Sequence, residues 1–567
     1  MKFSELSIYL QKLEDISSRI EITKILVELF KKSDSSEIGQ IVNLTLGQLA
    51  PSFKSIVFNV AEKMMIQSLA IAYDETPEEI LKLYKLHGDL GNVSATLNKN
   101  KDTSLTVKQI FEQLVEIAQD EGEGSVDRKI QALATLLKKV DSLSSRFLTR
   151  IPVGRLRLGF SDKTIIDALS WMHTGDKSLS KEIEKAYFVV PDIALLAKEI
   201  KQKGIKEAVK NITPILGTPV LPMLAQRVKS PTEMIEKMTE VAIEPKFDGL
   251  RAQIHFDGKN VKVFTRNLND VSWMFPELAN TQKFTNAKKF IVDTEAVGVS
   301  EETKQMANFQ TTMTRRRKHD IEKYSSSIPI QFNVFDVVLV NNKSLMDETY
   351  LSRRKHLDNL FKANNLFLVD QFIVTKDPKV IDYEMQKELS EGLEGVLIKK
   401  TDSKYIAGRT GYRWVKLKES ENQSAKLADT IDAVVMGYTA GKGKRAGFGV
   451  GQFLVGVVDK DKIKTITKIG TGLTDDQFRE LKQRLTKLEV KDKPKEYEVD
   501  KILEPDFWVI PSQVVEIAAD EITKSPNHTA GLALRFPRLI KFRDDKSIKQ
   551  ATNLKELKSL YNLQKVK

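Results

Sequence analysis

The pattern of apolar residues changes at a proline-rich stretch, residues 213–222, and this change limits the folds that the chain can adopt. Before the stretch, apolar residues recur every three or four positions, which is the spacing of amphipathic helices. One such stripe consists of Phe3, Leu6, Leu10 and Leu13, and another of Ile22, Ile25, Leu26, Leu29 and Phe30. Each proline lacks a backbone donor and restricts the residue before it, so helices cannot continue through the stretch. We therefore predict an all-α first domain over residues 1–216.

Two further regions follow the prolines. Residues 217–422 combine short β-branched runs with helical stretches, which is typical of an α+β domain. The strand-like runs include residues 290–292, 334–338 and 395–398. A polar stretch, residues 419–424, then leads to a region in which residues 431–436 and 453–458 have the character of neighbouring strands in a small β-barrel. The sequence therefore predicts a multidomain protein with domains at 1–216, 217–422 and 423–567.

The composition narrows the class of protein. The chain has 567 residues, a formal net charge of +12 at pH 7 and no cysteine. The missing cysteines exclude disulfides, thiolate zinc sites and a cysteine nucleophile. The positive charge favours a polyanionic partner such as nucleic acid. Because the sequence shows neither a signal-peptide pattern nor an apolar run of about 20 residues, we expect a cytoplasmic protein without membrane spans.

Lys246 is the first candidate catalytic residue. It lies in the segment 244–251, Glu-Pro-Lys-Phe-Asp-Gly-Leu-Arg, where an acid, a glycine and an arginine follow the lysine at fixed steps. A lysine amine becomes a nucleophile only where its neighbourhood favours the uncharged form. From Arg251 onward polar and apolar residues alternate until the turn Asp257-Gly258, which predicts a β-hairpin that begins just after the lysine. The alternative is an ordinary solvated lysine before a turn.

Residue types that suit a nucleotide recur further along the same region. They are the cation and amide Arg266-Asn267, the acids Glu295 and Glu394, the aromatic-acid pair Phe335-Asp336 and the strand lysines Lys416 and Lys418. An aromatic ring can stack on a purine, and a carboxylate can hold a ribose hydroxyl or a metal. Taken singly, each has an ordinary role in a core or on a solvated face. Their combination within one domain indicates a nucleotide site.

In this order the motifs resemble those of ATP-dependent DNA ligases of the archaeal and eukaryotic replicative type, and the resemblance covers essentially the whole chain. The matching segments are Lys246 to Arg251, Arg266-Asn267, Glu295, Phe335-Asp336, Glu394 to Val396, Trp414 to Lys418, Leu534 to Arg538 and Arg543 to Lys546. Two positions depart from the family pattern. Thr294 replaces a usual glycine, and Thr410 stands where many relatives have an arginine, which leaves Arg409 or Arg413 as its substitute.

The resemblance implies a helical DNA-binding domain, an adenylation domain and a C-terminal OB-fold barrel. It implies an enzyme that seals nicks in double-stranded DNA with ATP and Mg²⁺ through a lysyl-AMP intermediate, in replication, repair and recombination. We expect a monomer, with a sliding clamp as a candidate further partner. The basic run 314–319 and the loop 441–449 are candidate phosphate contacts. The turns at 87–91 and 191–194 resemble each other and offer backbone amides for phosphates.

The resemblance also implies roles for individual residues. Lys246 attacks the α-phosphate of ATP, and Arg543 and Lys546 orient the leaving pyrophosphate. Glu394 is the expected metal ligand, with Glu295 on the ribose or beside the metal. The remaining contacts to the nucleotide or to the phosphate at the nick are assigned to Glu244, Arg251, Arg266, Phe335, Arg409, Lys416 and Lys418.

Three alternatives stay open at this point. An RNA ligase or a capping guanylyltransferase shares the lysine motif and the barrel, but it explains neither the long helical region nor Arg543 to Lys546. An NAD-dependent ligase is disfavoured because its usual zinc module needs cysteines. A catalytically silent DNA-binding scaffold is opposed by the intact lysine, the two acids and the C-terminal motif.

Overall fold

In the computed structural model, the chain divides into two compact units, each with its own internal contacts. The structure describes residues 1–156, 158–228, 230–299, 329–391, 393–409, 411–418, 430–441, 447–470, 473–519 and 521–564, with the backbone alone at 227, 409 and 418. One unit comprises Met1–Met64 with Lys99–Glu419, and the other comprises Met65–Asn98 with Ser420–Lys567. The domain boundaries at 216 and 422 stay a prediction. The basic run 314–319, the polar stretch 419–424 and most of the loop 441–449 lie outside the described residues.

The first part of the chain is helical, as its periodicity predicts. Its helices are α1 (Phe3–Glu14), α2 (Arg19–Lys32), α3 (Ile38–Thr45), α4 (Glu62–Tyr73), α5 (Pro77–His87), α6 (Leu90–Leu97), α7 (Val107–Gln119), α8 (Ser125–Leu137), α9 (Ser142–Arg150), α10 (Asp162–Thr174), α11 (Ser180–Val189), α12 (Ile193–Lys203) and α13 (Ile205–Ala208). The stripe predicted on α1 is fully buried. In α7, Thr106 and Gln109 form a reciprocal capping box that satisfies backbone donors of the first turn.

Two short helices of this region begin at an aspartate. Asp89 accepts a hydrogen bond from the Asn92 N–H (2.9 Å) at the start of α6, and Asp192 accepts one from the Leu195 N–H (3.0 Å) at the start of α12. A carboxylate at this position satisfies a free amide and favours the positive end of the helix dipole. The two turns therefore share an aspartate cap that occupies one amide in each. That their amides face phosphates stays a prediction.

The middle region contains thirteen described strands and three described α-helices. They are β1 (Met223–Leu224), β2 (Gln226–Arg227), α14 (Pro231–Met238), β3 (Val241–Pro245), β4 (Leu250–Phe256), β5 (Val261–Thr265), β6 (Phe290–Gly298), β7 (Ile330–Val340), β8 (Lys343–Ser344), α15 (Tyr350–Asp358), β9 (Phe367–Val369), β10 (Ile373–Thr375), α16 (Pro378–Ser390), β11 (Gly395–Lys400), β12 (Gly408–Arg409) and β13 (Trp414–Lys418). The predicted hairpin is present, since β4 and β5 pair in antiparallel register from Ala252–Thr265 to Phe256–Val261.

Two sheets of this region face each other. One has the strand order β10-β3-β11-β13-β2, and the other has β5-β4-β6-β7-β8 with β9 beside β7. The layer between them contains Phe335 and Ile291 from the second sheet and Trp414 from the first. The outer faces pack on helices: Val396 and Ile398 contact the core formed with α14 and α16. Because side chains alternate along a strand, Leu397 and Lys399 point the other way, toward the second sheet.

The proline-rich stretch, residues 213–222, packs against the second sheet. Val220 is fully buried in the layer between the sheets. Its N–H donates to Gln253 Oε1 (2.8 Å), and the Gly217 N–H donates to His255 Nδ1 (3.2 Å). Since His255 Nδ1 accepts this bond, Nε2 carries the proton and donates to Gln253 Oε1 (3.0 Å). The polar face of β4 therefore anchors the segment that leads out of the helical region.

The C-terminal region is rich in strands. Its elements are β14 (Ile431–Thr439), β15 (Gln452–Asp459), β16 (Lys462–Ile469), α17 (Asp475–Thr486), β17 (Glu489–Val490), β18 (Tyr497–Glu498), β19 (Phe507–Val509), β20 (Val514–Ala518), β21 (Glu521–Lys524), β22 (Leu532–Arg535), β23 (Arg538–Phe542) and α18 (Leu554–Leu563). The main sheet has the order β17-β19-β14-β15-β16-β18, and β20 pairs with both β14 and β23. The predicted order of helical, α+β and strand-rich regions is confirmed, while closure into an OB-fold barrel stays a prediction. None of the described helices is both long and apolar enough to cross a membrane.

The buried His255 predicts how stability depends on pH. Burial lowers the pKa of His255 to about 3, whereas an unfolded histidine has a pKa of about 6.5. Between these values the unfolded state binds more protons, so folding stability falls as the pH drops below about 6.5. We expect His255 to account for a loss of about 2 kcal/mol between pH 7 and pH 5. Denaturant unfolding measures this effect. Between pH 7 and pH 5 the free energy of unfolding of His255→Gln should fall by about 2 kcal/mol less than that of wild type. Equal losses in the two proteins would contradict this.

Candidate active site

A cavity of about 630 Å³ opens beside the layer between the two sheets. Its size is that of ordinary cofactor sites, which span about 300–1,000 Å³. Seven of the predicted residues line it: Glu244, Lys246, Arg251, Arg266, Glu295, Phe335 and Lys416. Five of these residues lie on five different strands, and Lys246 and Arg266 lie in the turns after β3 and β5, so the fold brings together side chains that are far apart in the sequence.

Lys246 sits directly after β3, where that strand pairs with β11. Its N–H donates to the Gly395 carbonyl (3.0 Å), and its own carbonyl accepts from the Glu394 N–H (3.2 Å). This backbone pairing sets the Lys246 amine against the Glu394 carboxylate, and the two form an ion pair. Both side chains remain partly exposed, at 21% and 30%. The amine is therefore held in place and still reachable from the cavity.

Arg251 is fixed on the opposite wall. Its guanidinium donates to Asp293 Oδ2 (2.8 Å) and to the Met223 carbonyl (2.6 Å). Asp293 also accepts from the Tyr405 hydroxyl (2.7 Å) and the Gln253 amide (3.1 Å). The guanidinium carbon lies 5.2 Å from the centre of the Phe335 ring, a cation–π distance. Arg251 thus has one preferred position.

Glu244 belongs to a buried network at the cavity wall. Its carboxylate pairs with Lys399 Nζ (2.5 Å) and lies 3.8 Å from the Arg354 guanidinium. The Tyr350 hydroxyl donates to the same carboxylate. Burial lowers the pKa of Lys399, and Glu244 opposes that shift by favouring the ammonium. The sequence reading singled out neither Lys399 nor Tyr350, although Lys399 shares its face of β11 with Leu397.

Glu295 and Phe335 have contrasting surroundings. Burial raises the pKa of Glu295 to about 7, against the opposing charges of Arg251 and Lys246. Phe335 is 7% exposed and packs edge-on against Trp414. The next residue, Asp336, is fully buried and receives two hydrogen bonds from Arg353 (2.7 and 2.9 Å). The Asp336 carboxylate is therefore engaged by Arg353 and is not available to a ligand in the cavity.

The other predicted residues are distributed as follows. Arg266 is exposed at the end of β5 and lines the cavity. Lys416 pairs in register with Leu397, so its side chain projects from the same sheet face. Lys418 pairs with Gly395, and Arg409 with Leu224, but neither side chain is among those described. Thr410 lies outside the described residues.

Arg543 and Lys546 belong to the unit that contains the C-terminal strands. Arg543 donates to Asp432 Oδ1 (3.0 Å) and forms an ion pair with Asp545 (2.8 Å). Lys546 Nζ contacts Asp432 Oδ2 (2.5 Å). Asp432, an acid to which no sequence motif points, thus neutralises both cations in this structure.

Comparisons with known proteins identify the family. The ATP dependent DNA ligase domain matches residues 222–418, the DNA ligase N terminus matches residues 2–170, and the ATP dependent DNA ligase C terminal region matches residues 446–546. The "Probable DNA ligase" of Dictyoglomus turgidum is 39% identical over 577 residues, which cover 100% of this chain and 98% of the relative. The chain belongs to the ATP-dependent DNA ligases.

Further comparisons agree with this placement. The "DNA ligase" of Sulfurisphaera tokodaii is 38% identical over 592 residues, covering 99% of this ligase and 98% of the relative. A solved structure described as "Pmar-Lig_Pre." has a TM-score of 0.56 at 19% identity, over 95% of this chain and 99% of that one, and supports the fold alone. The ligase uses ATP, and its substrate is nicked double-stranded DNA.

Gly249 provides a test of how the Lys246 turn is built. A Cβ at this position would lie 2.5 Å from the Ala296 carbonyl oxygen, so the glycine lets the turn approach β6. We expect Gly249→Ala to destabilise the ligase by about 1–3 kcal/mol, because β6 is buried and cannot move away. Gly447→Ala is the matched control, since a Cβ there meets no atom within 4 Å. Denaturant unfolding measures both variants, and equal stabilities would refute the close approach.

Proposed function

We propose that Lys246 is the residue that carries AMP between ATP and the nick. One observation supports this above the others: the Lys246 amine lies in a cavity whose walls supply an aromatic ring, cations and carboxylates. The amine attacks the α-phosphorus of ATP. The Nζ–P bond forms while the bond between the α-phosphorus and the bridging oxygen of pyrophosphate breaks. Glu394, in contact with the amine, is the nearest acceptor for the proton that the lysine must lose.

The cavity walls suggest how the nucleoside binds. Phe335 and Leu397 line the cavity from opposite sheets and offer apolar surfaces to the two faces of a purine. Glu244 is the family candidate for a contact to the exocyclic amine, yet Tyr350 and Lys399 already engage its carboxylate. Glu295 is placed to accept a hydrogen bond from a ribose hydroxyl.

Positive charges surround the place where the phosphates would bind. Arg266 and Lys416 line the cavity, and Arg251 lies on its wall. Fixed cations stabilise the charge that develops on a phosphoryl group without reorganising during the reaction. We assign these residues, with Lys418 and Arg409, to the α-phosphate and to the 5′-phosphate of the nick.

Mg²⁺ is the expected metal. Among the described residues, no cluster of three or more acidic or histidine side chains could hold an ion by itself. Two carboxylates, Glu394 and Glu295, fit the mode in which Mg²⁺ is held by one or two acids together with substrate phosphates. When bound, the ion would neutralise charge on the reacting phosphate.

The leaving pyrophosphate requires the C-terminal cations. Arg543 and Lys546 are paired with Asp432, so each must exchange that carboxylate for the β- and γ-phosphates before Lys246 reacts. The later steps have no pyrophosphate: AMP passes to the 5′-phosphate, and the 3′-hydroxyl then displaces it. We therefore assign Arg543 and Lys546 to the first step only.

The helical region and the partners complete the proposal. We propose that the helices contact the DNA backbone, because a nick-sealing enzyme must accept any sequence. The ligase is proposed to act as a monomer in the cytoplasm, during replication, repair and recombination. A sliding clamp remains a candidate partner.

The nucleophile is tested by incubating the ligase with Mg²⁺ and labelled ATP, GTP or NAD. We expect covalent label from ATP, with Lys246→Arg losing it because a guanidinium cannot act as the nucleophile. Lys262→Arg, an exposed lysine on β5, is the matched control and should label as wild type does. Label from GTP alone would favour a capping enzyme, and label that survives in Lys246→Arg would refute this nucleophile.

The division between steps is tested at Lys546. We expect Lys546→Ala to slow labelling by at least about tenfold, since a charge-assisted contact to the leaving group contributes about 1.5–3 kcal/mol. Sealing of a nick that already carries AMP on its 5′-phosphate should stay within about twofold of wild type. Lys549→Ala, an exposed lysine nearby, should change neither reaction. Equal losses in both reactions of Lys546→Ala would show that the residue also acts after the first step.

A further inference from the structure

Asp432 holds the two C-terminal cations from a fixed position on β14. Its N–H donates to Thr552 Oγ1 (3.0 Å), and its carbonyl accepts from the Thr552 N–H (2.8 Å). Its carboxylate forms ion pairs with Arg543 (3.0 Å) and Lys546 (2.5 Å). The Asp432 side chain is 13% exposed and that of Lys546 is 29% exposed. The Lys546 ammonium therefore stays accessible to a second anion from solvent.

The two cations differ in the number of carboxylates that hold them. Arg543 also pairs with Asp545 (2.8 Å) and Glu516 (3.4 Å). Glu516 lies opposite Asp432 on the neighbouring strand β20, so the two carboxylates share one face of the sheet. Lys546 has Asp432 as its one acidic partner among the residues that the structure describes. Removing the Asp432 charge would leave two acids on Arg543 and none of the described acids on Lys546.

A carboxylate and a phosphate compete for the same ammonium group. The Lys546 ammonium has three donors but a single charge, so a phosphate oxygen either displaces Asp432 or binds beside it. In the first case, the apparent affinity for phosphate is reduced by the fraction of molecules in which the ammonium is free. In the second case, the neighbouring carboxylate repels the phosphate. Either way, Asp432 weakens the hold of Lys546 on a phosphate group.

We propose that Asp432 is a positioning residue for the first step: it takes Lys546 back from pyrophosphate and so favours product release. This rests on the proposed function, in which Lys546 binds the leaving pyrophosphate. Before ATP binds, the carboxylate keeps the Lys546 side chain ordered beside Arg543. After the Nζ–P bond to AMP has formed, the carboxylate replaces pyrophosphate on the ammonium. Asp432 thus weakens ATP binding moderately and limits reversal of the step by pyrophosphate.

The test measures how tightly the adenylated enzyme binds pyrophosphate. Enzyme that carries labelled AMP on Lys246 is mixed with Mg²⁺ and increasing pyrophosphate, and the release of labelled ATP is followed. Asp432→Asn keeps the size of the side chain and removes its charge. We expect it to lower the pyrophosphate concentration for half-maximal rate by about three- to tenfold. In the forward labelling reaction, KM for ATP should fall by a similar factor while kcat stays within about twofold.

Two further variants show whether the effect acts through Lys546. Asp461→Asn, at an exposed acid in the turn after β15, removes the same charge from the same unit and should keep wild-type values. The double variant Asp432→Asn/Lys546→Ala should bind pyrophosphate within about twofold of Lys546→Ala alone. If Asp432→Asn tightens pyrophosphate binding equally with and without the Lys546 ammonium, Asp432 does not act by holding this lysine.

Sealing of a nick that already carries AMP separates this role from a structural one. That reaction involves no pyrophosphate, so Asp432→Asn should seal within about twofold of wild type. If Asp432→Asn binds pyrophosphate no more tightly than wild type, or slows labelling and sealing alike, Asp432 only supports the fold and the proposal is overturned. Unchanged labelling by Lys546→Ala would instead overturn the assignment of Lys546 to the first step, on which the role of Asp432 rests.

Discussion

The adenylation region depends on buried cations that are each matched to a carboxylate between the two sheets. The pairs are Arg251 with Asp293, Arg353 with Asp336 and Lys399 with Glu244. Removing one partner from a buried pair leaves an uncompensated charge and costs about 3–5 kcal/mol. Two of these pairs join neighbouring strands of one sheet, and the third joins β7 to α15. Lys399 also donates to the Phe335 carbonyl of the facing sheet (3.0 Å), and the cavity opens beside this layer.

The position of Lys246 follows from this arrangement. Backbone pairing between β3 and β11 sets the amine against Glu394, while the pairs on the second sheet hold Arg251 and Phe335 across the cavity. A preorganised set of charges of this kind can stabilise a phosphoryl transition state without moving. The C-terminal cations are organised differently, since Asp432 holds both of them. If Arg543 and Lys546 orient the leaving pyrophosphate as proposed, the first step needs an exchange of ion pairs that the later steps do without.

Much of the fold and part of the site could be predicted from the sequence. Periodicity located the helices and the β4–β5 hairpin, and the motif order located Lys246 and Glu394, which lie 148 residues apart. Lys399 and Asp293 could not be found this way, because a charged residue in a strand usually marks a solvated face and its partner comes from another strand.

The central claim is that one lysine in this cavity receives AMP, and peptide mass mapping tests it most directly. The ligase would be incubated with ATP and Mg²⁺, digested, and searched for peptides that carry one adenylyl group. The account predicts a single modified site, at Lys246, which disappears when nicked DNA is added and sealed. An adenylyl group on another residue, or sealing with Lys246 unmodified throughout, would contradict it.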